Sequence, residues 1–360
     1  MKRYREIYRA EQLPVFQNRM FLTEQAAKDC VKGDVVLVQD SETGLIFNQA
    51  FKPELMQYDS DYQNEQAVSG AFQRHLQDVS ALVTKHFPAY SLIEVGCGKG
   101  YFLEQLQKLG FEVTGLDPTY EGSNPSVIKE YFSPESGLRA DGVILRHVLE
   151  HVQDPVGFLS KIRESNGGTG RIYIEVPCFD WTCNHRAWFD IFYEHVNYFR
   201  RSDFDRMFGK VYESGHIFGG QYLYVIADLA TLRAPKYSKP DYFEFPEDFL
   251  GTVSRYAARL KTQDTERKRA TAIWGGASKG VIFALFMERA GAKIDIVIDI
   301  NPAKQGKYLA ATGLLVQSPA DAMHMLVPGA DIFVMNSNYL GEIQELTAHQ
   351  FNYLLVEHAA

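Results

Sequence analysis

Short apolar runs alternate with helical patterns of apolar and polar positions from about residue 76 to residue 230. Such runs indicate buried strands, and apolar positions three and four residues apart indicate helices that cover a sheet. Strands that alternate with helices are typical of a parallel sheet with helices on both faces. The pattern therefore predicts strands at 91–95, 111–116, 142–146 and 170–176.

Two later apolar runs, at 211–216 and 220–228, are punctuated by Gly219-Gly220. Neighbouring strands that are joined by a short turn pair in the antiparallel sense. The predicted fold class is therefore α/β, with a doubly wound sheet whose last strand is antiparallel.

Other patterns flank this region. Residues 34–38 and 44–48 are apolar around a polar stretch, which predicts a β-hairpin within an N-terminal hairpin and lid region at 1–75. We expect a linker and a connecting helix at 233–268, and a second, Rossmann-like α/β domain at 269–360. Residues 76–232 between them form the predicted ligand-binding domain.

The first strand of the alternating region runs into three glycines at alternate positions, Gly96, Gly98 and Gly100. Glycine allows the backbone to approach a ligand closely, and the N–H groups at the start of the following helix favour an anionic group. Glu94 stands two positions before the first glycine. This corner is a candidate binding site for a nucleotide-like ligand.

The next predicted strand ends in Asp117-Pro118, about twenty residues after the first glycine, where a doubly wound fold places a carboxylate against ribose hydroxyls. The G-x-G-x-G spacing after an acidic residue resembles the class I S-adenosylmethionine-dependent methyltransferases. The dinucleotide pattern requires a glycine where this chain has Tyr101. We therefore favour S-adenosylmethionine over NAD as the cofactor and keep an NAD-dependent oxidoreductase as an alternative.

The third strand leads into Arg146-His147-Val148-Leu149-Glu150-His151. Ligands of open α/β sheets lie at the carboxyl ends of the strands, so Arg146, His147 and His151 are predicted to contact the cofactor. The segment also spells H-x-x-E-H, an inverted zinc-peptidase signature that belongs within a helix. A strand precedes it directly here, which disfavours a peptidase. Methyltransferases frequently have a segment of this kind after the fourth strand of their own sheet, and this segment resembles it.

A long aromatic stretch, residues 179–199, follows the fourth strand, and loops of this length are often functional. Within it, His195 is the candidate general base, because imidazole titrates near neutrality and an adjacent carboxylate or phenol can orient it. Glu194 and Tyr193 are the adjacent candidates for that task. The alternative is a structural histidine in an aromatic cluster.

Composition excludes several classes of function. A net charge of −8 over 360 residues argues against nucleic acid as a partner. The N-terminus lacks the apolar core of a signal peptide, and no apolar run is long enough to span a membrane, so we expect a cytoplasmic protein. Cys178, Cys183 and His185 lack zinc-ligand spacing, and no metal is expected.

A second glycine-rich corner, Gly275-Gly276-Ala277-Ser278-Lys279-Gly280, follows a predicted strand near the C-terminus. It is not a Walker A loop, because Lys279 is followed by glycine and not by serine or threonine. The corner could hold an anion near Lys279, or it could be a degenerate unit that is kept for its shape.

Together these features resemble the sugar C-methyltransferases of class I, which methylate carbon 3 of nucleotide-linked 4-keto-deoxysugars. The resemblance covers most of the chain. Beyond the cofactor motifs it rests on Glu175-Val176-Pro177, Tyr193-Glu194-His195-x-x-Tyr198-Phe199, Gly276-Ala277-Ser278-Lys279-Gly280, residues 299–307 and Asn338-Tyr339-x-x-Glu342-Ile343.

The resemblance implies S-adenosylmethionine as cofactor, Tyr62 in a lid over it, and a histidine, here His195, that takes the proton α to a keto group. It also implies a C-terminal domain that helps to hold the acceptor. Tyr198, Lys279, Asn336 and Tyr339 are the candidate substrate-binding residues.

Two departures limit this transfer. The family usually has four zinc cysteines near the N-terminus, whereas the matching stretch here is Asp40-Ser41-Glu42-Thr43-Gly44, so we expect no zinc. The family also has a tyrosine three positions before the histidine, and this chain has Phe192. Tyr193 could supply the phenol only if it points the same way. An O- or N-methyltransferase of another small acceptor and a non-catalytic binding protein are therefore further alternatives.

Overall fold

The structure is a computed structural model of the 360-residue chain. It describes residues 3–56, 66–87, 91–237, 243–263 and 269–357. Three main sheets organise these residues, and they are called here the N-terminal, central and C-terminal sheets.

The N-terminal sheet is antiparallel, with strand order β1-β3-β4. The predicted hairpin is confirmed as β3 and β4, and β1 adds a strand that the apolar pattern did not predict. The elements of this region are β1 (Tyr4–Pro14), β2 (Met20–Phe21), α1 (Glu24–Lys28), β3 (Lys32–Asp40) and β4 (Ile46–Asn48).

The central region alternates strands and helices, as the sequence predicts. Its elements are α2 (Gly70–His86), β5 (Ser91–Val95), α3 (Tyr101–Lys108), β6 (Glu112–Leu116), β7 (Val127–Ile128), β8 (Gly142–Arg146), α4 (Pro155–Ser165), β9 (Arg171–Pro177), α5 (Phe179–Asn184), α6 (Arg201–Met207), β10 (Val211–Ile217) and β11 (Tyr222–Asp228).

The strand order of the seven-stranded central sheet is β10-β11-β9-β8-β5-β6-β7. All pairings are parallel except those of β11, which is antiparallel to both β9 and β10. The predicted α/β class with an antiparallel last strand is therefore confirmed. The chain reverses its direction of winding between β5 and β8, and ligands of such sheets bind at the carboxyl ends of the strands at this switch point.

Helix α2 shows how the apolar pattern builds one layer of this fold. Its buried positions Phe72, Leu76, Val79 and Val83 lie three or four residues apart and face the sheet. Ser69 caps the helix, because its hydroxyl accepts hydrogen bonds from the backbone N–H groups of the first turn. The same helix carries the buried His75 into the site described below.

The C-terminal sheet has five strands in the order β15-β13-β12-β16-β17, all paired in parallel. Its winding reverses between β12 and β16, so it has a second switch point. The elements are α7 (Gly251–Thr262), β12 (Ala272–Trp274), α8 (Lys279–Arg289), β13 (Ile296–Ile298), β14 (Tyr308–Leu309), β15 (Val316–Gln317), α9 (Pro319–Met325), β16 (Asp331–Val334), α10 (Leu340–Leu346) and β17 (Asn352–Leu355).

The N-terminal and C-terminal parts are joined by the antiparallel pair β2–β14. In the described ranges, none of the helices combines the length and the apolar character that a membrane crossing requires.

Candidate functional site

The glycine turn lies at the switch point of the central sheet. Gly96, Gly98 and Gly100 have φ angles of +71°, +55° and +82°, in the left-handed region that favours glycine. A Cβ atom on Gly96 would lie 2.5 Å from Val148 Cγ2, whereas a Cβ atom on Gly98 would meet nothing within 4 Å. The turn therefore packs against Val148, in the segment after β8, at Gly96. Beside Gly98 the space is open.

Asp117 directly follows β6 and lies beside this turn, as the sequence predicts. Its Oδ2 accepts a hydrogen bond of 2.8 Å from the Gly98 backbone, and its Oδ1 accepts from the backbone and hydroxyl of Thr119. Pro118 follows on the surface. Tyr62, the predicted lid residue, lies outside the described residues. The structure thus brings Asp117, the carboxylate predicted to bind the ribose, and the glycine turn together in one corner.

Glu94 is buried near the carboxyl end of β5, and its Oε2 has no hydrogen-bond partner within the described part of the chain. Burial raises the pKa of Glu94 to about 8, although Arg146 acts in the opposite direction. Glu94 is therefore protonated at neutral pH. The unpartnered oxygen of Glu94, the open space beside Gly98 and the Asp117 carboxylate at the end of the strand together fit a nucleoside-like cofactor.

A charged cluster forms the floor of the site around Glu175, which is fully buried on β9. Its Oε1 lies 3.0 Å from His75 Nε2, 2.9 Å from His147 Nε2 and 3.4 Å from an Arg146 nitrogen. Its Oε2 accepts a hydrogen bond from the Tyr173 hydroxyl. Glu175 thus accepts hydrogen bonds from Arg146 and Tyr173 and forms an ion pair with His147, whose Nε2 is close but lacks hydrogen-bond geometry.

The charges in this cluster stabilise one another. Burial raises the pKa of Glu175, but Arg146, His147 and His75 together outweigh this effect and hold the pKa well below its ordinary value. Burial lowers the pKa of His147, but Glu150 and Glu175 raise it more, to about 9. His147 is therefore a cation at neutral pH, held with a φ of +53°, which is uncommon for a residue with a side chain.

A cavity of about 250 Å³ lies between the segment after β8, the aromatic stretch after β9 and the carboxyl ends of the C-terminal strands. The predicted residues that line it are His147, His151, Glu194, His195, Lys279, Asn336 and Tyr339. The lining residues that the sequence analysis did not select include Glu150, Phe192 and Asp190. Glu150 belongs to the H-x-x-E-H segment after β8, and an acidic residue between two histidines was the signal that could have identified it.

His195 lies at the wall of this cavity. Its ring centre is 5.0 Å from that of His151 and 4.9 Å from that of Phe192. Burial lowers the pKa of His195 well below its ordinary value, and His151 and His147 act in the same direction. The imidazole is therefore neutral at pH 7. Glu194 Oε1 accepts a hydrogen bond of 2.7 Å from the Gln17 backbone, so this carboxylate oxygen is directed towards the N-terminal segment.

The structure corrects the predictions for two tyrosines. The Tyr193 hydroxyl accepts a hydrogen bond from the Lys52 backbone at 2.9 Å, and its ring packs against Phe51 outside the cavity. The Tyr198 hydroxyl is buried and bonds to the backbone N–H and carbonyl of Phe192. Consecutive residues of an irregular segment point in different directions, so Phe192 takes the cavity wall and Tyr193 does not.

On the C-terminal side, Lys279 is part of an ion-pair network. Its ammonium lies 3.3 Å from Glu357, 3.6 Å from Asp190 and 2.9 Å from the Gln221 side-chain oxygen. Asn336 exchanges two hydrogen bonds with Gln221. Two carboxylates already neutralise Lys279, so the structure does not offer it as a free cation for an anionic ligand.

The two glycine corners share one feature. The backbone of Gly276 donates a hydrogen bond of 2.8 Å to Asp299, as Gly98 does to Asp117. Asp299 additionally pairs with Lys304 at 3.2 Å. The C-terminal corner therefore repeats the first corner with its acidic residue already neutralised.

Residues 63–211 match a family model described as a methyltransferase domain. Among curated proteins, the chain is 36% identical over 85 residues to a ubiquinone biosynthesis O-methyltransferase of Methylobacterium nodulans, covering 20% of this chain and 34% of that protein. It is 31% identical over 118 residues to the protein of the same name from Cereibacter sphaeroides, covering 29% and 45%. The chain thus spans less than half the length of these relatives.

Solved structures of methyltransferases also resemble part of the chain. One is a 1,6-didemethyltoxoflavin-N1-methyltransferase of Burkholderia thailandensis, with 16% identity, a TM-score of 0.33 and coverage of 43% of this chain and 77% of that one. Another is a SAM-dependent methyltransferase from Archaeoglobus fulgidus, with 19% identity, a TM-score of 0.34 and coverage of 44% and 100%.

Proposed function

We propose that this chain, whose residues 63–211 match the methyltransferase domain, is an S-adenosylmethionine-dependent enzyme that methylates a small acceptor. The observation that carries the proposal is the corner at the switch point, where the Asp117 carboxylate holds the turn of Gly98 beside open space. The strand order β10-β11-β9-β8-β5-β6-β7 places this corner where a doubly wound sheet binds a nucleoside.

In this proposal the residues of the corner hold the cofactor. Asp117 accepts hydrogen bonds from the ribose hydroxyls, and the protonated Glu94 offers a donor at the carboxyl end of β5. The cofactor supplies an activated methyl group on a sulfonium. The fixed cluster of Arg146, His147 and Glu175 orients the segment after β8 between the corner and the cavity, and positioning of this kind provides most of the rate in such transfers.

The acceptor binds in the cavity beside His195 in this proposal. We favour a hydroxyl as the accepting group, because an alcohol or phenol requires only the loss of its own proton, and the His195 imidazole stands at the cavity wall where it can accept one. Relatives over residues of the methyltransferase domain carry the name O-methyltransferase, which agrees with this choice.

Methylation of a carbon next to a keto group, as in the nucleotide-linked sugars, is the second candidate. The position of the cavity between the central and C-terminal sheets favours it, since the resemblance implies an acceptor held by both. This reaction also needs a group that stabilises an enolate oxygen. Phe192 occupies the place of the expected phenol and Tyr193 points elsewhere, which places this candidate second.

Calorimetric titration tests the cofactor. We expect S-adenosylhomocysteine to bind and NADH not to bind, and we expect Asp117→Asn to weaken S-adenosylhomocysteine at least tenfold. Asp299→Asn is the matched control, because Asp299 makes the same backbone contact in the other corner and should leave this affinity unchanged. Binding of NADH alone, or equal effects of the two substitutions, would contradict the proposal. Incubation with labelled S-adenosylmethionine and hydroxyl-bearing or keto acceptors then separates the two candidates.

A further inference from the structure

Three metal-ligating side chains converge at one end of the cavity. Glu150, His151 and His195 each place a ligand atom within 4.8 Å of the other two. All three line the cavity, although His195 is 44 positions after His151 in the chain. Two imidazoles and a carboxylate at these mutual distances are a donor set that suits a divalent transition-metal ion.

Glu150 supplies the charge for such a site. It is 1% exposed, and its Oε2 has no hydrogen-bond partner among the residues that the structure describes. His147 Nδ1 lies 3.4 Å from the other oxygen, Oε1. A buried carboxylate oxygen without a partner is costly, so an unpaired oxygen in a cavity points to a ligand that is bound in the functional state.

The two histidines are held in position by the backbone. His151 Nδ1 lies 2.9 Å from the Glu194 carbonyl oxygen. A carbonyl can only accept, so Nδ1 carries the hydrogen and Nε2 carries the lone pair. Metal-binding histidines commonly use the second nitrogen in this way. The Glu150 carbonyl accepts hydrogen bonds from the backbones of Val196 and Asn197, which fixes the segment of His195 against that of Glu150.

A second group of ligating side chains, His75, His147 and Glu175, is less suitable. Glu175 already accepts from Tyr173 and contacts Arg146, whose permanent positive charge would repel a cation. Of this second group only His147 lines the cavity, whereas Glu150, His151 and His195 all line it.

We propose that Glu150, His151 and His195 bind one divalent transition-metal ion, which holds the hydroxyl of the acceptor during methyl transfer. The inference rests on the proposed function and names the substrate class of that site. Three protein ligands leave coordination positions for an oxygen of the acceptor, as in other sites with two histidines and one carboxylate.

The metal makes the acceptor oxygen a better nucleophile. Coordination lowers the pKa of the hydroxyl, so its O–H bond breaks and the proton passes to water. The oxygen then forms a bond to the methyl carbon, while the carbon–sulfur bond breaks and its electron pair stays on sulfur. The substrate is thus a small molecule with an ionisable hydroxyl. In this inference the metal replaces the proton transfer to His195 that the proposed function describes, and His195 binds the metal.

Titration with Co²⁺ tests the site. Protein is treated with EDTA, dialysed and titrated with Co²⁺ and Zn²⁺, with visible absorption and calorimetry as readouts. We expect one ion per chain, and we expect Glu150→Gln and His195→Ala each to weaken binding at least tenfold. His185→Ala is the matched control, since His185 lies in the same aromatic stretch but bonds to the Trp181 carbonyl, and binding should be unchanged.

The affinity for S-adenosylhomocysteine, measured on the same metal-free proteins, shows that each variant is folded. It also separates the two proposals. If S-adenosylhomocysteine binds but no ion binds stoichiometrically, or if both site variants bind Co²⁺ as the unsubstituted chain does, the metal site is refuted and the proposed function stands. If Co²⁺ binds and S-adenosylhomocysteine does not, the proposed function fails instead.

Discussion

Neighbouring residues of the aromatic stretch serve different parts of the molecule. Phe192 lines the cavity, Tyr193 bonds to the Lys52 backbone, and His195 returns to the cavity wall beside His151. The sequence places the four aromatic and charged residues 192–195 side by side, but the irregular backbone separates their side chains. Position in the sequence alone therefore does not predict which of these side chains reach the cavity, because Phe192, Glu194 and His195 line it and Tyr193 does not.

Tyr193→Phe should leave methyl transfer within about twofold, because its hydroxyl is outside the cavity. The variant should lose about 1 kcal/mol of unfolding free energy, since the Lys52 N–H loses its acceptor. Steady-state kinetics and urea denaturation measure the two effects. Phe192→Leu is the comparison at the cavity wall and should raise the acceptor KM. A tenfold fall in turnover for Tyr193→Phe would return this phenol to the chemistry.

Glu94→Gln should stabilise the protein at high pH. The folded pKa of about 8 lies above the model-peptide value of about 4.3, so the folded state of the unsubstituted chain holds one more proton between these values. Stability is then fully present below the lower value and falls by up to about 1.4 kcal/mol per pH unit as the pH rises towards 8. Glutamine does not titrate and removes this loss.

The measurement is the difference in Tm between Glu94→Gln and the unsubstituted chain at pH 5 and pH 8.5. Asp203 also has a raised pKa, of about 7, because of burial, but it is present in both proteins and cancels in the difference. The difference should therefore grow in favour of glutamine towards pH 8.5. A constant difference across this range would show that Glu94 is ionised in the folded protein.

At the scale of elements, strands with continuous apolar runs could be predicted and others could not. The four parallel strands β5, β6, β8 and β9 lie within one residue of their predicted bounds, because both of their faces are buried. Strand β1 contains charged residues on an exposed face and a register shift, which break the apolar pattern. Such a strand is recognised only once its partner β3 is known.

The same distinction applies to the candidate site. The turn of Gly96, Gly98 and Gly100 could be predicted because local backbone geometry requires those residues. The pairing of His75 with Glu175 could not, because the two residues are 100 positions apart and meet only when α2 packs on the sheet. The position of Glu150 beside His195 likewise depends on backbone hydrogen bonds between two separate segments.

Alanine substitutions of two glycines test whether the cofactor lies beside the turn before α3. Gly98 and Gly110 both have positive φ angles, of +55° and +91°, and a Cβ on either would meet nothing within 4 Å. Gly98→Ala and Gly110→Ala should each cost about 1–2 kcal/mol of stability through backbone strain. Only Gly98→Ala should weaken S-adenosylhomocysteine, by tenfold or more, because a methyl group there enters the open space.

Urea denaturation and calorimetric titration measure these two effects on the same preparations. Gly110 ends the loop after α3 at the opposite end of that helix, so its variant serves as the control for strain alone. Equal affinities of the two variants would mean that the cofactor does not occupy the space above Gly98.

In the whole molecule, the central and C-terminal sheets both direct the carboxyl ends of parallel strands towards one cavity. The central sheet contributes the segment after β8, and the C-terminal sheet contributes the ends of β12 and β16. Lys279 joins the two parts, because its ammonium contacts Gln221 next to β11 and Asp190 in the aromatic stretch as well as Glu357 after β17. The geometry of the cavity therefore depends on this buried network.

Lys279→Met should destabilise the chain strongly, because it leaves the Glu357 and Asp190 carboxylates buried without their cation. Loss of one partner from a buried ion pair costs about 3–5 kcal/mol, and urea denaturation measures that cost. Lys279→Met combined with Glu357→Gln should recover part of the loss, since the amide carries no charge. Lys161→Met on the exposed side of α4 is the control and should change stability by less than about 0.5 kcal/mol. A cost below about 1 kcal/mol for Lys279→Met would show that the ammonium does not join the two sheets and is available to a ligand.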